Sequence, residues 1–290
     1  MCIRDRDTTK EQLNYYGGEG WDITSGTDMG TVGISTHYTF SPNTFLKVTL
    51  AAMGQKASNF VDTLSIELDK FRFYSSYVTD NRLSASAFIN HRFNSQHTLR
   101  GGVSSRVLFS DFYDRVWQKD SSDYISQLDF SGNTYLVNSY LQWQYRPTDR
   151  ITMNSGLSYN LFAFNGSQSI EPRFGVRYGI APKQSVNFGY GLHSQISPLF
   201  VYFLQEHQDD GTYRKTNTNL DLTMSHHFVV GYDYRINQFT RIKLETYYQK
   251  IFNAPVDGEG VNSFSILNNG ASFEFSMPSY YLANDCLLYT

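Results

Sequence analysis

The sequence predicts an all-β fold, an antiparallel transmembrane β-barrel of which this chain supplies only a part. Three observations support the prediction: apolar and polar residues alternate with a period of two, short turns alternate with long connections, and aromatic residues lie beside the short turns. Because successive side chains of a strand point to opposite faces, this alternation gives each strand one apolar and one polar side.

The clearest alternation lies in a predicted hairpin at residues 169–196, whose two arms meet in a turn at residues 181–184. The residues between the apolar positions are mostly charged, polar or glycine, as one solvated strand face requires. A connection of four residues joins antiparallel strands readily. The apolar positions are Ile170, Phe174, Val176, Tyr178, Ile180, Val186, Phe188, Tyr190, Leu192 and Ile196.

Four further hairpins repeat this pattern, so that the five short turns are centred near residues 43, 94, 147, 182 and 237. Two membrane-crossing strands use only ~20 residues, and the longer spacing of these turns requires long connections at the opposite rim. Short periplasmic turns and long external loops are the layout of outer-membrane barrels. We predict meandering hairpins with about ten to twelve strands in all, and connections at residues 7–30, 54–82 (with strand extensions), 110–132 and 197–221.

Aromatic residues are abundant, with 22 Tyr, 22 Phe and 3 Trp in 290 residues, and several flank the short turns. Rings with an apolar body and a polar tip suit the membrane–water interface. The alternative is a soluble β-sandwich, in which the apolar faces of two sheets would cover one another and turns would recur every ~8–12 residues. The aromatic residues beside the turns are Phe40, Phe93, Tyr145, Tyr178 and Phe239.

Composition and motifs exclude several functions. A net charge of -3 gives no reason to predict nucleic acid as a partner. No run approaches the ~18 apolar residues of a membrane helix. The sequence holds no P-loop, zinc-ligand spacing or hydrolase motif. We therefore predict a protein that is not an enzyme and that has no cofactor and no metal site.

Both ends of the sequence resemble translated sequencing-adapter read-through. The stretches are MCIRDR at residues 1–6 and CLLYT at residues 286–290, and we interpret them as artefactual tails. The alternative is that they are genuine, in which case Cys2 and Cys286 could pair. In either case the two cysteines make no disulfide framework.

Five stretches resemble the barrel domain of TonB-dependent receptors of the Bacteroidota type, and the resemblance extends over residues 31–285. In that family a plug at the N-terminal side fills a 22-stranded barrel, and a TonB box on the plug couples it to the inner membrane. The chain contains neither, so the resemblance implies an internal fragment of the barrel. Its sheet is expected either to stay open and strongly curved or to close into a smaller barrel. The stretches are EPRFGVRY at 171–178, GYGLHSQISPLFVYF at 189–203, FVVGYDYRI at 228–236, LETYYQKIFNAPV at 244–256 and SFSILNNGASF at 263–273.

The resemblance also implies a function. The whole protein would lie in the bacterial outer membrane and import a bulky nutrient (a siderophore, glycan, haem, cobalamin or peptide), driven by the proton gradient. Its partners would be outer-membrane lipid, its own plug, TonB acting through that plug, a surface lipoprotein and the nutrient. The alternatives are a passive porin or structural barrel without a plug, and a soluble lectin-like β protein.

Two sets of candidate contact residues follow from the strand pattern. Charged and polar residues on the side opposite the apolar face would line the lumen and contact the plug or substrate. Aromatic residues in the external connections could stack on ligand rings. The lumen set is Arg173, Arg177, His193, Arg235, Arg241, Lys243, Glu245 and Gln249, and the loop set is Trp21, Trp117 and Tyr124.

Other constellations carry less weight. His226 and His227 are adjacent, so on a strand they point to opposite faces and cannot form one metal site. The acidic stretch at residues 206–210 is interpreted as a solvated loop. Glu171, Asp233 and Glu245 each lie near an arginine or lysine, which favours ionised, salt-bridged carboxylates over acid catalysis.

Overall fold

A single large antiparallel sheet dominates the computed structural model, which describes residues 2–5, 20–65, 67–208, 210–259, 264–269 and 281–285. The sheet has twelve strands. They are β1 (Cys2–Asp5), β2 (Gly20–Ser41), β3 (Thr44–Leu64), β4 (Lys70–Arg92), β5 (His97–Gln118), β6 (Asp123–Ile125), β7 (Asp129–Thr148), β8 (Ile151–Phe162), β9 (Ser167–Ala181), β10 (Gln184–Gln195), β13 (Thr223–Arg235) and β14 (Arg241–Phe252).

Smaller elements lie in the connections. β11 (Gln205–His207) pairs with β12 (Tyr213–Lys215), and β15 (Ala254–Asp257) pairs with β16 (Leu282–Asp285). A 3-10 turn spans Leu199–Phe203 and a single helical turn spans Ile266–Asn269. Within the described ranges no helix has the length and apolarity needed to cross a membrane.

The strands follow one another as a meander, in the order β1-β2-β3-β4-β5-β7-β8-β9-β10-β13-β14, and β6 pairs with β5. All pairs are antiparallel, as the hairpins predict. The terminal strands β1 and β14 do not pair with each other, so the prediction of an open partial barrel is confirmed. The short turns also fall where the sequence places them, except that β7 runs on to Thr148 and the third turn contains only residues 149–150.

Most of the predicted long connections are strand. β2 begins at Gly20, so the prediction of loop for residues 7–30 is wrong from Gly20 onward, and residues 7–19 lie outside the described residues. Likewise β3, β4, β5 and β7 extend through much of 54–82 and 110–132. At ~3.3 Å per residue, strands of 20 to 23 residues are ~70 Å long, far beyond a ~25 Å apolar band. These five strands therefore continue outside the membrane as one paired wall.

The two faces of the sheet differ as the alternation predicts. Val32 and Ile34 are each 71% exposed, and no described residue packs a second layer onto their face. The cross-strand register keeps apolar side chains on this same side from strand to strand. Its exposed members include Leu50, Leu83, Ile89, Val103, Leu141, Leu157, Ile170, Val230, Ile242 and Leu244.

The core lies on the opposite, polar face, near the external ends of the strands. Its centre is residues 196–222, which we call the cover segment. The sequence analysis interpreted residues 197–221 of it as a loop. Val201, Tyr202 and Leu204 are completely buried there, against Phe112 of β5 and Phe162 of β8. The apolar run LFVYF at 199–203 needs a partner surface, and the long strands supply one. The loop prediction missed this packing because it did not foresee strands long enough to form that surface.

Candidate binding surface in the barrel lumen

The cross-strand register places all eight sequence-predicted lumen residues on the polar side of the sheet. Arg177 is opposite Asn187 and Arg173 is opposite Gly191 in β9 and β10, while Gln249 is opposite His227 in β13 and β14. Side chains at these positions alternate with those of the exposed apolar face. The polar side is thus a continuous wall, made of Arg173, Arg177, His193, Arg235, Arg241, Lys243, Glu245 and Gln249 together with their neighbours.

Ion pairs on this wall join the carboxylates to the bases that the sequence places beside them. Glu171 pairs with Arg173 at 2.8 Å, and Lys243 pairs with Glu245 at 2.6 Å. Arg241 binds Asp233 through Nε at 2.8 Å and through a second guanidinium nitrogen. These contacts join each carboxylate to a base, so the geometry favours an electrostatic lining over acid–base chemistry.

Glu171 is the most completely bonded of these groups, and its side chain is only 1% exposed. The regular pairing of β9 with β10 ends where Arg173 faces Gly191. Beyond that point the Glu171 carboxylate accepts a hydrogen bond from the backbone N–H of Ser194 at 2.8 Å and from the Ser169 hydroxyl at 3.1 Å. The carboxylate therefore replaces the missing backbone partner, which the alternation pattern alone could not show.

Two open recesses lie along the wall. The first, of about 530 Å³, is lined on its polar side by Arg100, Asn138, Gln142, Asn154 and Arg173. The second, of about 550 Å³, lies next to the periplasmic turns. Five cations and two carboxylates line it, so an anionic group would be favoured there. They are Arg150, Arg177, Lys183, Arg235, Arg241, Asp149 and Asp233.

Sequence reasoning missed Arg100, Arg150 and Lys183. Arg150 and Lys183 fall in short turns, where alternation does not assign a side. Lys183 donates to the carbonyl oxygen of Ile236 at 3.1 Å, which joins two neighbouring turns. Arg100 lies in the weaker pattern before residue 110, although its position in β5 places it on the same side as the lumen residues.

The cover segment is fixed to the external end of this wall by polar contacts. Asn165, in the turn between β8 and β9, donates through Nδ2 to the carbonyl oxygens of Thr218 at 3.2 Å and Leu220 at 2.7 Å. Gly166 has a φ of 78°, a left-handed conformation that glycine adopts without strain. On the other side, the backbone N–H of Gln205 donates to the carbonyl oxygen of Gln127 at 2.9 Å.

A buried carboxylate holds the strand segment to which the cover segment binds. Oδ1 of Asp114 accepts hydrogen bonds from the backbone N–H groups of Gln127 and Leu128, both at 2.8 Å. Leu128 then forms an antiparallel bridge with Leu204 of the cover segment. Asp114 lies in the part of β5 beyond the membrane. Burial raises the pKa of its carboxyl group to about 6, although the hydrogen bonds from the two backbone N–H groups lower it.

The three loop aromatics lie at the external rim, in strands and not in loops. Trp117 of β5 lies between Phe71 and Tyr124, with ring centroids 5.1 Å from each. Trp21 of β2 packs separately on Phe73, also at 5.1 Å. Trp117 lies on the same side of β5 as Val103 and Val107, so Trp117 and its cross-strand partner Tyr124 face the outside of the wall and not the lumen.

His226 and His227 point to opposite sides of β13, as the sequence predicts. The His227 ring is 4.8 Å from the His193 ring on the lumen side, while the His226 ring stacks on Phe252 at 5.2 Å on the apolar side. In the described part of the chain, no three His, Cys, Asp or Glu residues are grouped so that they could hold a metal ion.

An antiparallel sheet with an uncovered apolar face, short turns at one rim and a charged opposite face defines a segment of an outer-membrane β-barrel. The family model described as "TonB dependent receptor-like, beta-barrel" matches residues 4–283. The chain therefore belongs to the TonB-dependent receptor β-barrel family, whose members are transporters and receptors of the bacterial outer membrane.

Solved structures of similar fold include three receptors and transporters. The ferric-catecholate import receptor Fiu from K12 E. coli has a TM-score of 0.59 and 11% identity, over 89% of this chain and 46% of that one. The RagAB peptide transporter gives 0.59 and 8%, over 91% and 33%. The siderophore receptor PirA from Acinetobacter baumannii gives 0.56 and 15%, over 83% and 36%.

These identities establish similarity of fold alone. The chain spans between about a third and a half of the length of these structures. No curated protein matches it significantly in sequence.

Proposed function

We propose that the full-length protein is an energy-coupled importer, in which this segment forms the lumen wall and external cover along which a bulky nutrient passes. The observation that carries the proposal is the contrast between the two sides of one sheet. One side presents uncovered apolar residues, and the other presents paired charges, polar recesses and a cover segment packed at the external end.

The chemistry of the wall favours passage of a polar or anionic molecule. Cations outnumber carboxylates in the recess near the periplasmic turns, and Arg100 and Arg173 line the recess nearer the middle. Similar folds are described as receptors for ferric catecholates and siderophores and as a peptide transporter. Siderophores and peptides are therefore candidate cargo, and the family adds haem, cobalamin and glycans.

The proposal includes the partners that the family implies. A plug of the same protein would contact Arg173, Arg177, Arg235, Arg241 or Lys243, TonB would act through that plug, and a surface lipoprotein could close the external rim. His193, Glu245 and Gln249 would complete the lining, and Trp21 would contact the nutrient at the rim, while Trp117 and Tyr124 lie on the outer side of the wall. We assign no catalytic step to the lumen wall, since its carboxylates Glu171, Asp233 and Glu245 are held in ion pairs.

Growth of a receptor-deficient strain that carries the full-length gene tests the function. The strain is supplied with ferric siderophores, haem, cobalamin, glycans or peptides as the limiting nutrient, with and without functional TonB. We expect TonB-dependent growth on one of these classes. Growth that is equal without TonB would instead support the passive porin, and recovery of the protein without detergent would support the soluble alternative.

A disulfide across the bridge between Leu128 and Leu204 tests the cover segment. These residues are antiparallel partners, and cysteines at such positions come close enough to pair. In the Leu128→Cys, Leu204→Cys double variant we expect TonB-dependent uptake to fall under oxidising conditions and to recover after reduction. Each single cysteine variant is the control and should not respond to oxidant. Unchanged uptake by the oxidised double variant would show that the cover segment need not move.

A further inference from the structure

A lysine and a histidine face each other on the apolar side of the sheet, with mostly aromatic neighbours around them. His226 of β13 and Lys250 of β14 are direct cross-strand partners. They follow Phe228 and Tyr248 on the same side, and with Phe174, Phe188 and Tyr190 they line one shallow groove of about 570 Å³. Neither residue forms an ion pair with any described residue.

The height of this pair above the periplasmic turns matches the external lipid–water interface of the membrane. His226 lies nine residues along β13 from Arg235, beside the periplasmic turn, and Lys250 lies nine residues along β14 from Arg241. Nine residues of a strand tilted by ~40° rise ~23 Å, close to the ~25 Å height of the apolar band. The pair therefore lies where lipid headgroups of the outer leaflet begin.

The local contacts leave donors available for an anion. The Tyr190 hydroxyl lies 3.1 Å from Nδ1 of His226, and when it donates there, the other ring nitrogen carries a proton that an anion could accept. The Lys250 side chain is exposed and adds a positive charge. Two basic groups directly opposite one another on a strand pair repel when both are charged, unless an anion lies between them.

We infer that His226 and Lys250 bind the phosphate of an outer-leaflet glycolipid, with its acyl chains lying along Phe228, Phe188 and the apolar face below. The aromatic residues supply an apolar floor at the depth of the first acyl carbons, and the two basic side chains supply charge-assisted hydrogen bonds to phosphate. This site is on the outside of the barrel wall and is independent of the proposed transport function.

Lipid titration of the detergent-solubilised full-length protein tests the inference. The probes are purified lipid A, enzymatically dephosphorylated lipid A and phosphatidylglycerol, and the measurement is the apparent Kd from native mass spectrometry. A single charge-assisted phosphate contact contributes ~1.5 kcal/mol or more, so Lys250→Gln should weaken lipid A binding about tenfold. His226→Gln should weaken it further in the double variant, and dephosphorylated lipid A should resemble the double variant.

Lys56→Gln is the matched control, because Lys56 lies on the same side of the sheet but is directly opposite Asp28. It should bind lipid A as the unchanged protein does. Equal affinity for phosphatidylglycerol and lipid A would overturn the assignment to glycolipid, and equal affinity of the Lys250→Gln and unchanged proteins for lipid A would overturn the site itself.

Discussion

Replacing Val230 by lysine is expected to destabilise the folded barrel by ~2–4 kcal/mol, because a charged side chain near the middle of the lipid-facing surface loses its hydration. Val230 lies in the middle of β13, is 51% exposed and belongs to the uncovered apolar face. The measurement is the guanidinium unfolding midpoint of the full-length protein in phospholipid vesicles, with the slope checked for constancy.

Val229→Lys provides a control of the same residue type, one position away. Val229 pairs with Tyr247 and lies on the side of Arg235 and Glu245, where a lysine would remain solvated. We expect it to cost less than ~1 kcal/mol, as surface substitutions usually do. If Val229→Lys were the more destabilising of the two, the apolar face would not be the one that contacts lipid.

Replacing Asp114 by alanine is expected to free the cover segment from its attachment. The change removes the acceptor of two buried amide N–H groups, those of Gln127 and Leu128. An unsatisfied buried donor costs ~1–3 kcal/mol, so the loss of the acceptor of two donors should make local opening easier by ~2–6 kcal/mol. The measurement is hydrogen exchange at residues 126–128 and 201–205 in the full-length protein. Asp114→Asn keeps one acceptor oxygen and should retain most of the protection.

The same carboxyl group predicts a pH dependence. Its pKa is raised from 3.8 to about 6 in the folded protein, so the folded state holds the proton more tightly than the unfolded state. The resulting stabilisation is fully present below about pH 3.8 and is lost as the pH rises through about 6. Protection of residues 126–128, corrected for intrinsic exchange, should therefore decrease between pH 4 and 7, and Asp114→Asn should abolish this decrease. Identical pH profiles of the unchanged protein and Asp114→Asn would show that the pH dependence does not arise from Asp114.

The strand pattern was predictable because a sheet with lipid on one side and water on the other leaves a period of two in the sequence. For this reason the sequence predicts the hairpin turns near residues 43, 94, 182 and 237. It also predicts the side of the sheet on which Arg173, Arg177 and Gln249 lie. The ion pairs of Glu171 and Glu245 were predictable too, since their partners lie two residues away on the same face.

Where the long strands end was not predictable from the pattern. Outside the membrane neither face of a strand must be apolar, so the period of two fades although the backbone pairing continues, as in the outer part of β2, β3 and β4. This is why residues 20–30 and much of 54–82 were interpreted as loop.

The fold class, the two faces of the sheet and the positions of most short turns follow from local sequence, because they depend on neighbours one and two residues apart. Three features depend on long-range packing: the cover segment lies against Phe112 and Phe162, Glu171 bonds to Ser194, and His226 is the partner of Lys250. These contacts join residues 23 to more than 90 positions apart. No local periodicity encodes such pairings, since they depend on which strands the whole sheet brings together.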